Sequence, residues 1–374
     1  MPTKRISGIE ISGIRKMFEG APPNSINLGL GEPDFQPPDC VLRAFQEAVA
    51  KGHNKYGPIG GIPELRAEIA QRYKSIADTM LENVIITDGA TEGLFATALA
   101  IYEEGDEVLI PDPGFPLYEA HVKLCGATPV TYKLSQENNF VPDIAEIASL
   151  ITPRTRAILI NSPSNPTGGV IPEKTVEQIA QIADEQHLTI ISDEVYDHIL
   201  YDETHHTFWG RAKNVVIINS FSKTYAMTGW RIGFLLATSN IISDIFKAHY
   251  HAIACPPTPT QYAALEALRN ANGDIKKMVG EFRRRRDYIV DALNRVSGFK
   301  CVKPQGAFYV FPAYTPDLPS LELASMLVHN GVICTPGSAF GKNGERHIRF
   351  SYANSLENIT RAMEIIKKVM EGLS

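Results

Sequence analysis

The sequence predicts an α/β protein, with a mostly parallel central sheet flanked by helices and a smaller α+β domain. Three observations carry this expectation. Short, continuously apolar runs recur through the first two thirds of the 374 residues, with the length and character of strands buried on both faces. Segments with helical spacing of apolar residues alternate with those runs, the pattern of a layered α/β domain. From about residue 275 the pattern changes to a long charged helix followed by short mixed elements.

The first 36 residues have no decisive period and are assigned to a segment joining the small domain. Residues 37–275 are read as the large domain and 276–374 as the small one. A helix over 39–51 opens at Asp39, carries Leu42, Phe45 and Val49 along one face, and is followed by Gly52. A second, over 63–77, has Pro63 near its first turn and the stripe Leu65, Ile69, Tyr73 and Ile76. Further helices are expected over 91–103 and 172–186, and strands at 83–87, 107–111, 129–134, 157–161, 189–192, 215–219 and 232–237. In the last third, a charged helix over 275–296 precedes a helix near 320–330, strands near 331–334 and 346–352, and a final helix over 355–371.

Hydrophobic residues make up 44% and charged residues 21%, an ordinary balance for a soluble globular chain. The net charge of −6 gives neither nucleic acid nor a membrane an electrostatic reason to bind. No apolar run nears the ~20 residues of a membrane span, and MPTKRISGIE lacks the apolar core of a secretory signal. Cys40, Cys125, Cys255, Cys301 and Cys334 are scattered without CxxC spacing, and read as reduced packing residues in a cytoplasmic protein. His205 and His206 have no second cluster at metal-ligand spacing, so they are placed on a surface loop and no metal is expected. The run Arg283–Arg286 is read as a solvated or intersubunit helix face.

In open parallel sheets, ligands bind beyond the carboxyl ends of the strands. The strand at 83–87 is followed by Asp88-Gly89-Ala90-Thr91, opening a helix whose N–H groups and hydroxyl suit a phosphate, or are simply a cap. The strand at 157–161 leads to SPSNPTGG, a natural turn that also delivers the amide of Asn165. The strand at 189–192 delivers Asp193 and Tyr196. That at 215–219 delivers Ser220, Ser222 and Lys223; the lysine is either solvated or, in a dry site, an amine able to form a Schiff base. Four strands thus bring an anion-binding turn, an amide, a carboxylate and an amine to one edge.

With SPSNPTG, SDEVYD and SFSKTYAMTGWRIGF in that order between INLGLGEPDF and IRFSYA, the chain resembles the class I/II aminotransferases of PLP fold type I, nearest their aspartate/aromatic/alanine branch. The resemblance runs nearly end to end. It implies pyridoxal 5′-phosphate bound to Lys223, which then shuttles a proton between substrate Cα and cofactor C4′. It implies Asp193 at the pyridinium nitrogen, Tyr196 and Asn165 at the 3′-oxygen, and Phe115 stacked on the ring. Around the phosphate it implies Gly89, Ala90, Thr91, Ser220, Ser222 and Arg231, with Tyr56 contributed by the partner of a homodimer. Arg349 would clamp the substrate α-carboxylate, with help from Gly31 and Asn165.

Two departures concern the substrate. Dicarboxylate-specific relatives carry a lysine where Thr91 stands and a hydroxyl residue near Ile14. A distal carboxylate would need another cation, and Arg15 is the candidate, its alternative being a solvated helix charge. Ser12 to Arg15, with Phe18, are also similar to archaeal relatives that aminate a phosphorylated furan aldehyde for methanofuran synthesis. The expected activity is therefore a ping-pong aminotransferase acting on small amino and keto, or aldehyde, substrates. The alternatives are a furan-aldehyde aminotransferase, a β-elimination lyase using the same cofactor set, and a non-enzymatic regulator. Nothing favours the last, since Lys223, Asp193, Tyr196 and Arg349 are all present.

Overall fold

In the computed structural model, which describes residues 3–7, 9 and 21–373, the first strand, β1 (Ile26–Asn27), pairs in parallel with Val332–Ile333 near the C-terminus. The next seven strands form one sheet: β2 (Val84–Thr87), β3 (Glu107–Asp112), β4 (Thr128–Lys133), β5 (Thr155–Asn161), β6 (Thr189–Asp193), β7 (Val215–Ser220) and β8 (Gly233–Ala237). Their order is β2-β8-β7-β6-β5-β3-β4; β8 is antiparallel to both neighbours and the other pairs are parallel.

The apolar runs are continuous because successive side chains enter two different cores. Val215 and Ile217 join one with Ile69, Ile179 and Leu268, while Val216 and Ile218 join the other with Leu94, Val122 and Ile245. Each such side chain, fully buried, contributes ~1.5–3 kcal/mol. Strand β4 departs from the expectation of burial on both faces: it lies at the sheet edge, and within it only Tyr132 is buried.

The expected helices are found at Asp39–Ala50, Pro63–Tyr73, Gly89–Ile101 and Glu173–Glu185. In the first, the inward residues are Val41 and Ala48, and Val49 is exposed. The second stops at Tyr73, leaving Ile76 beyond its end and exposed. The third starts two residues before the expected position. The structure adds the helices Leu117–Leu124, Ile144–Leu150, Ile242–Ile253 and Thr258–Asn270, which are not among those expected from the sequence. The last of these buries the polar Thr260 and Gln261 together with its alanines and leucines, which breaks the apolar stripe that a sequence pattern needs.

A third core lies between Asn272–Asn294, Ser320–His329 and Leu356–Glu371 and the short strands Tyr309–Val310, Thr335–Pro336 and Ile348–Ser351. Here the reading of Arg283–Arg286 as a solvated face is corrected. Arg283 and Arg284 are exposed, but Arg285 and Arg286 are buried. The Arg286 guanidinium lies 4.4 Å from the Tyr201 ring centroid and donates to Asp202 at 2.7 Å; Arg285 donates to Asp34 at 2.7 Å. These partners lie far away in sequence. Among the described residues no helix is long and apolar enough to cross a membrane.

Candidate active site

The carboxyl ends of β2, β5, β6 and β7 open on one cavity of about 270 Å³. Its floor is set by how β7 ends. The Ser220 hydroxyl accepts from the Ser222 N–H at 3.0 Å and so caps the short helix Phe221–Thr224, which turns Lys223 into the cavity. Lys223 Nζ donates to the Gly31 carbonyl at 2.7 Å. Burial lowers its pKa to about 8, only partly opposed by the Glu32 and Asp193 carboxylates. The amine is therefore far closer to neutrality at physiological pH than an exposed lysine.

Asp193, the last residue of β6, is 4% exposed. Its carboxylate accepts from Tyr118 Oη at 2.7 Å and from the Val195 N–H at 3.4 Å. Burial pushes the carboxyl up to about 6, against the opposing pull of those two bonds. Such a group is costly to ionise alone and suited to a cationic partner. Beside it Asn161 donates to the Asp193 carbonyl at 3.0 Å and accepts from the Asn165 N–H at 2.8 Å, which fixes the SPSNPTG turn. The Tyr196 and Tyr309 hydroxyls share a hydrogen bond of 2.8 Å.

Arg349, on Ile348–Ser351, is 2% exposed. It donates to Asn165 Oδ1 at 2.9 Å and to the Gly29 carbonyl, and its Nε has no partner. The guanidinium lies 4.6 Å from the Tyr309 ring centroid and 4.9 Å from that of Phe340. Burial lowers its pKa, so a carboxylate arriving here meets a poorly solvated cation with an N–H to spare.

At the opposite end, Gly89 starts its helix with φ 72°, and a Cβ there would collide with the Arg231 guanidinium. Arg231 is held by the carbonyls of Thr228 at 2.9 Å and Asp88 at 3.3 Å. A helix N-terminus, the hydroxyls of Ser220 and Ser222 and a guanidinium converge there, which is the donor set of an anion site.

The cavity is lined by Gly31, Ala90, Thr91, Phe115, Asn165, Asp193, Tyr196, Ser220, Ser222, Lys223, Arg231 and Arg349, all singled out from the sequence, and Gly89 adjoins Arg231. Tyr56 is not among the lining residues; its side chain is 92% exposed. Arg15, Ile14 and Phe18 lie outside the described residues. Sequence reasoning missed Tyr118 and Tyr309, which hold Asp193 and Tyr196, and Glu32, which accepts from Thr228 Oγ1 at 2.6 Å and whose charge opposes the lowering of the Lys223 pKa. Tyr118 had a faint signal, three residues past Phe115 and just beyond a strand end. His205 lies on a loop, as expected, but is only partly exposed: its Nε2 lies 2.9 Å from the buried Glu194 carboxylate.

Residues 23–366 match the family described as aminotransferase class I and II. The chain is 41% identical over 379 residues to a probable aspartate aminotransferase of Methanocaldococcus jannaschii, covering 99% of this chain and 100% of that one. A solved alanine aminotransferase from Pyrococcus furiosus superposes with a TM-score of 0.95 at 35% identity, covering all of both chains. The Thermus thermophilus aspartate aminotransferase solved with maleate gives 0.94 at 33% identity, covering 99% of each.

Proposed function

The chain belongs to the class I and II aminotransferases and is an enzyme of PLP fold type I, and on that premise we propose that it moves an amino group from an α-amino acid to a 2-oxo acid in a ping-pong cycle, with pyridoxal 5′-phosphate as cofactor. One observation carries the reading. A single cavity joins an amine of lowered basicity, a buried carboxyl and a buried guanidinium with an unpartnered N–H, each from a different element.

The residues fit the cofactor. The missing Cβ of Gly89 leaves a cradle under Arg231 for a phosphate, and Asp193 offers a carboxylate whose burial favours pairing with a ring cation. Bound pyridoxal phosphate supplies an electrophilic aldehyde and an electron-withdrawing ring that together acidify the Cα–H of an attached amino acid.

The chain supplies everything else. Asp193 would keep a proton on the ring nitrogen of the cofactor, and Tyr118 holds that carboxylate in place. Tyr196 and Asn165 would hydrogen-bond the ring oxygen, and Phe115 would cover the ring face. Lys223 would take the proton from substrate Cα and deliver it to cofactor C4′, a task suited to an amine whose pKa is about 8. Arg349 grips the α-carboxylate through two N–H groups, and the Tyr309 and Phe340 rings keep water from it.

We place Tyr56 at the phosphate of a second copy, so that the active unit is a homodimer; a 92% exposed tyrosine on a loop supports this. Selection at the far end of the substrate is assigned to an apolar wall of Phe18 and Phe115 and to the charge of Arg15. A panel of amino donors, followed in half-reactions by cofactor absorbance, tests the proposal. Several α-amino acids should convert the bound cofactor, all in an Arg349-dependent way. A cofactor spectrum unmoved by every α-amino acid would overturn it.

A further inference from the structure

Behind the phosphate end lies a buried polar pair that the chemistry above does not use. His249, on Ile242–Ile253, has a relative exposure of 0%. Its Nε2 lies 2.8 Å from the Ile59 carbonyl, and its Nδ1 lies 3.1 Å from a carboxylate oxygen of Glu92. A carbonyl only accepts, so Nε2 carries a hydrogen. Nδ1 and the Glu92 oxygen then need a second proton between them, held either as imidazolium against carboxylate or as carboxyl against neutral imidazole. The pair therefore carries one proton more than a neutral histidine beside an ionised glutamate.

The two ends of this pair reach different parts of the cofactor site. The other Glu92 oxygen accepts from the Asp88 N–H at 3.2 Å, one residue before Gly89, and the Asp88 carbonyl accepts from Arg231 at 3.3 Å. Ile59 lies three residues after Tyr56, and the next residue, Gly60, accepts from the Ile86 N–H of β2 at 3.0 Å. One shared proton thus bridges the turn that cups the phosphate and the loop that presents Tyr56.

We propose that His249 and Glu92 are positioning residues for the cofactor phosphate: their shared proton sets the Asp88–Thr91 turn and the Tyr56 loop relative to one another, and cofactor retention depends on it. The inference rests on the reading in which Tyr56 completes the partner's phosphate site. Glu92 is the titratable group facing the ring; the Tyr56 loop presents a carbonyl, and the helix's own neighbour is the Phe246 ring at 6.2 Å. Burial alone would lower the His249 pKa, but the bond and charge of Glu92, with the Ile59 carbonyl, outweigh it and the net shift is upward. A raised histidine stabilises the folded arrangement fully below its ordinary range, and that contribution is lost as pH rises through the raised value.

The test measures the dissociation constant of pyridoxal phosphate for the cofactor-stripped full-length protein between about pH 6 and 9. His249→Leu should weaken binding by about tenfold near neutrality. Combined with Tyr56→Phe, it should cost less than the two single losses added, because both act through one loop. In Glu92→Gln, the side-chain amide can donate to a neutral Nδ1 while its oxygen still accepts from Asp88. That variant should keep wild-type affinity near neutrality and lack the extra alkaline loss of the wild type. Wild-type affinity in His249→Leu, or superimposable pH profiles for wild type and Glu92→Gln, overturns the proposal. Should His249→Leu fail to fold, the Glu92→Gln profile decides. If Tyr56→Phe binds normally, the shared-site reading falls and this inference with it; if Tyr56→Phe is weakened and His249→Leu is not, this inference alone falls.

Discussion

Replacing Asp193 with asparagine separates the two things its carboxyl does. In the cofactor-free protein, burial pushes this group from 3.8 up to about 6. That is roughly two pH units, or ~3 kcal/mol at ~1.4 kcal/mol per unit, the order of the cost of ionising Asp193 at neutral pH. Because the folded pKa lies above the unfolded one, the folded chain binds the proton more tightly. Its contribution is therefore present below about pH 4 and lost as the pH rises through about 6. Asparagine never ionises: its Oδ1 can keep the bond from the Val195 N–H, and its Nδ2 can donate to the Tyr118 hydroxyl in place of the bond that the Asp193 carboxylate accepts. Urea denaturation of the two cofactor-free proteins at several pH values should show a difference growing by up to ~3 kcal/mol in favour of Asp193→Asn between about pH 4 and 7. With cofactor present the order should reverse, because the carboxylate gains a cation to pair with. Half-reaction rates of the variant should then fall by about 10²–10⁴. A flat difference curve, or near-normal half-reactions in the variant, would refute this account of Asp193.

Borohydride reduction of the loaded protein should fix the cofactor to Lys223 alone, and the rate of attachment to stripped protein should level off near pH 8, where the amine loses its proton; a label on another lysine in the peptide map sinks the assignment. Arg349→Lys keeps the charge but loses the fork, and should cost ~2–4 kcal/mol in kcat/KM for every amino donor alike, so strongly unequal losses would argue against an α-carboxylate site. Arg15→Ala should alter the preference between anionic and neutral substrates while barely changing alanine; equal losses on both remove Arg15 from specificity. Mixing inactive Lys223→Ala subunits with Tyr56-defective ones should restore some activity through hybrid dimers, and a fully active monomer in sedimentation at assay concentration contradicts the shared site.

The sheet was legible because each strand of its centre is covered twice, and burial on both faces leaves an unbroken apolar run. The cavity was legible for a related reason: polar residues that follow such runs have no place in the core and collect at one sheet edge. Burial that depends on distant partners left no such mark. Tyr118 meets Asp193 across 75 residues of chain. Arg286 is buried because Tyr201, Asp202 and the Pro304 carbonyl surround it, and a run of four arginines cannot reveal which two face inward. His205 is on a loop as its sequence suggests, but only the fold shows that its ring turns toward Glu194. Helix Thr258–Asn270 escaped because polar Thr260 and Gln261 are buried among its apolar residues and blur the period. Neither did any local pattern mark His249, whose meaning lies in joining Ile59 to Glu92.

The segment LGLGEPD brings these observations together. The two side chains proposed to move the substrate proton and to hold its α-carboxylate, Lys223 and Arg349, both donate to it, at the Gly31 and Gly29 carbonyls respectively. A carboxylate is a stronger acceptor for Arg349 than the Gly29 carbonyl, because it carries an opposite charge and can take two parallel N–H bonds, and Arg349 Nε lacks a partner. On the proposed reading, a substrate carboxylate would therefore take over contacts that Arg349 makes with the backbone. The segment can yield them because it is tethered independently on both sides. Upstream, Asn27 Oδ1 accepts from the Gly29 and Leu30 N–H groups at 3.0 and 3.1 Å. Downstream, Glu32 accepts from Thr228 and Asp34 from Arg285. Glycine is required at position 31 for want of room, since a Cβ there would collide with the Tyr309 hydroxyl that also bonds Tyr196. The same crowding that excludes a side chain leaves the backbone of Gly31 close enough to accept from Lys223 and to line the cavity shared with Arg349.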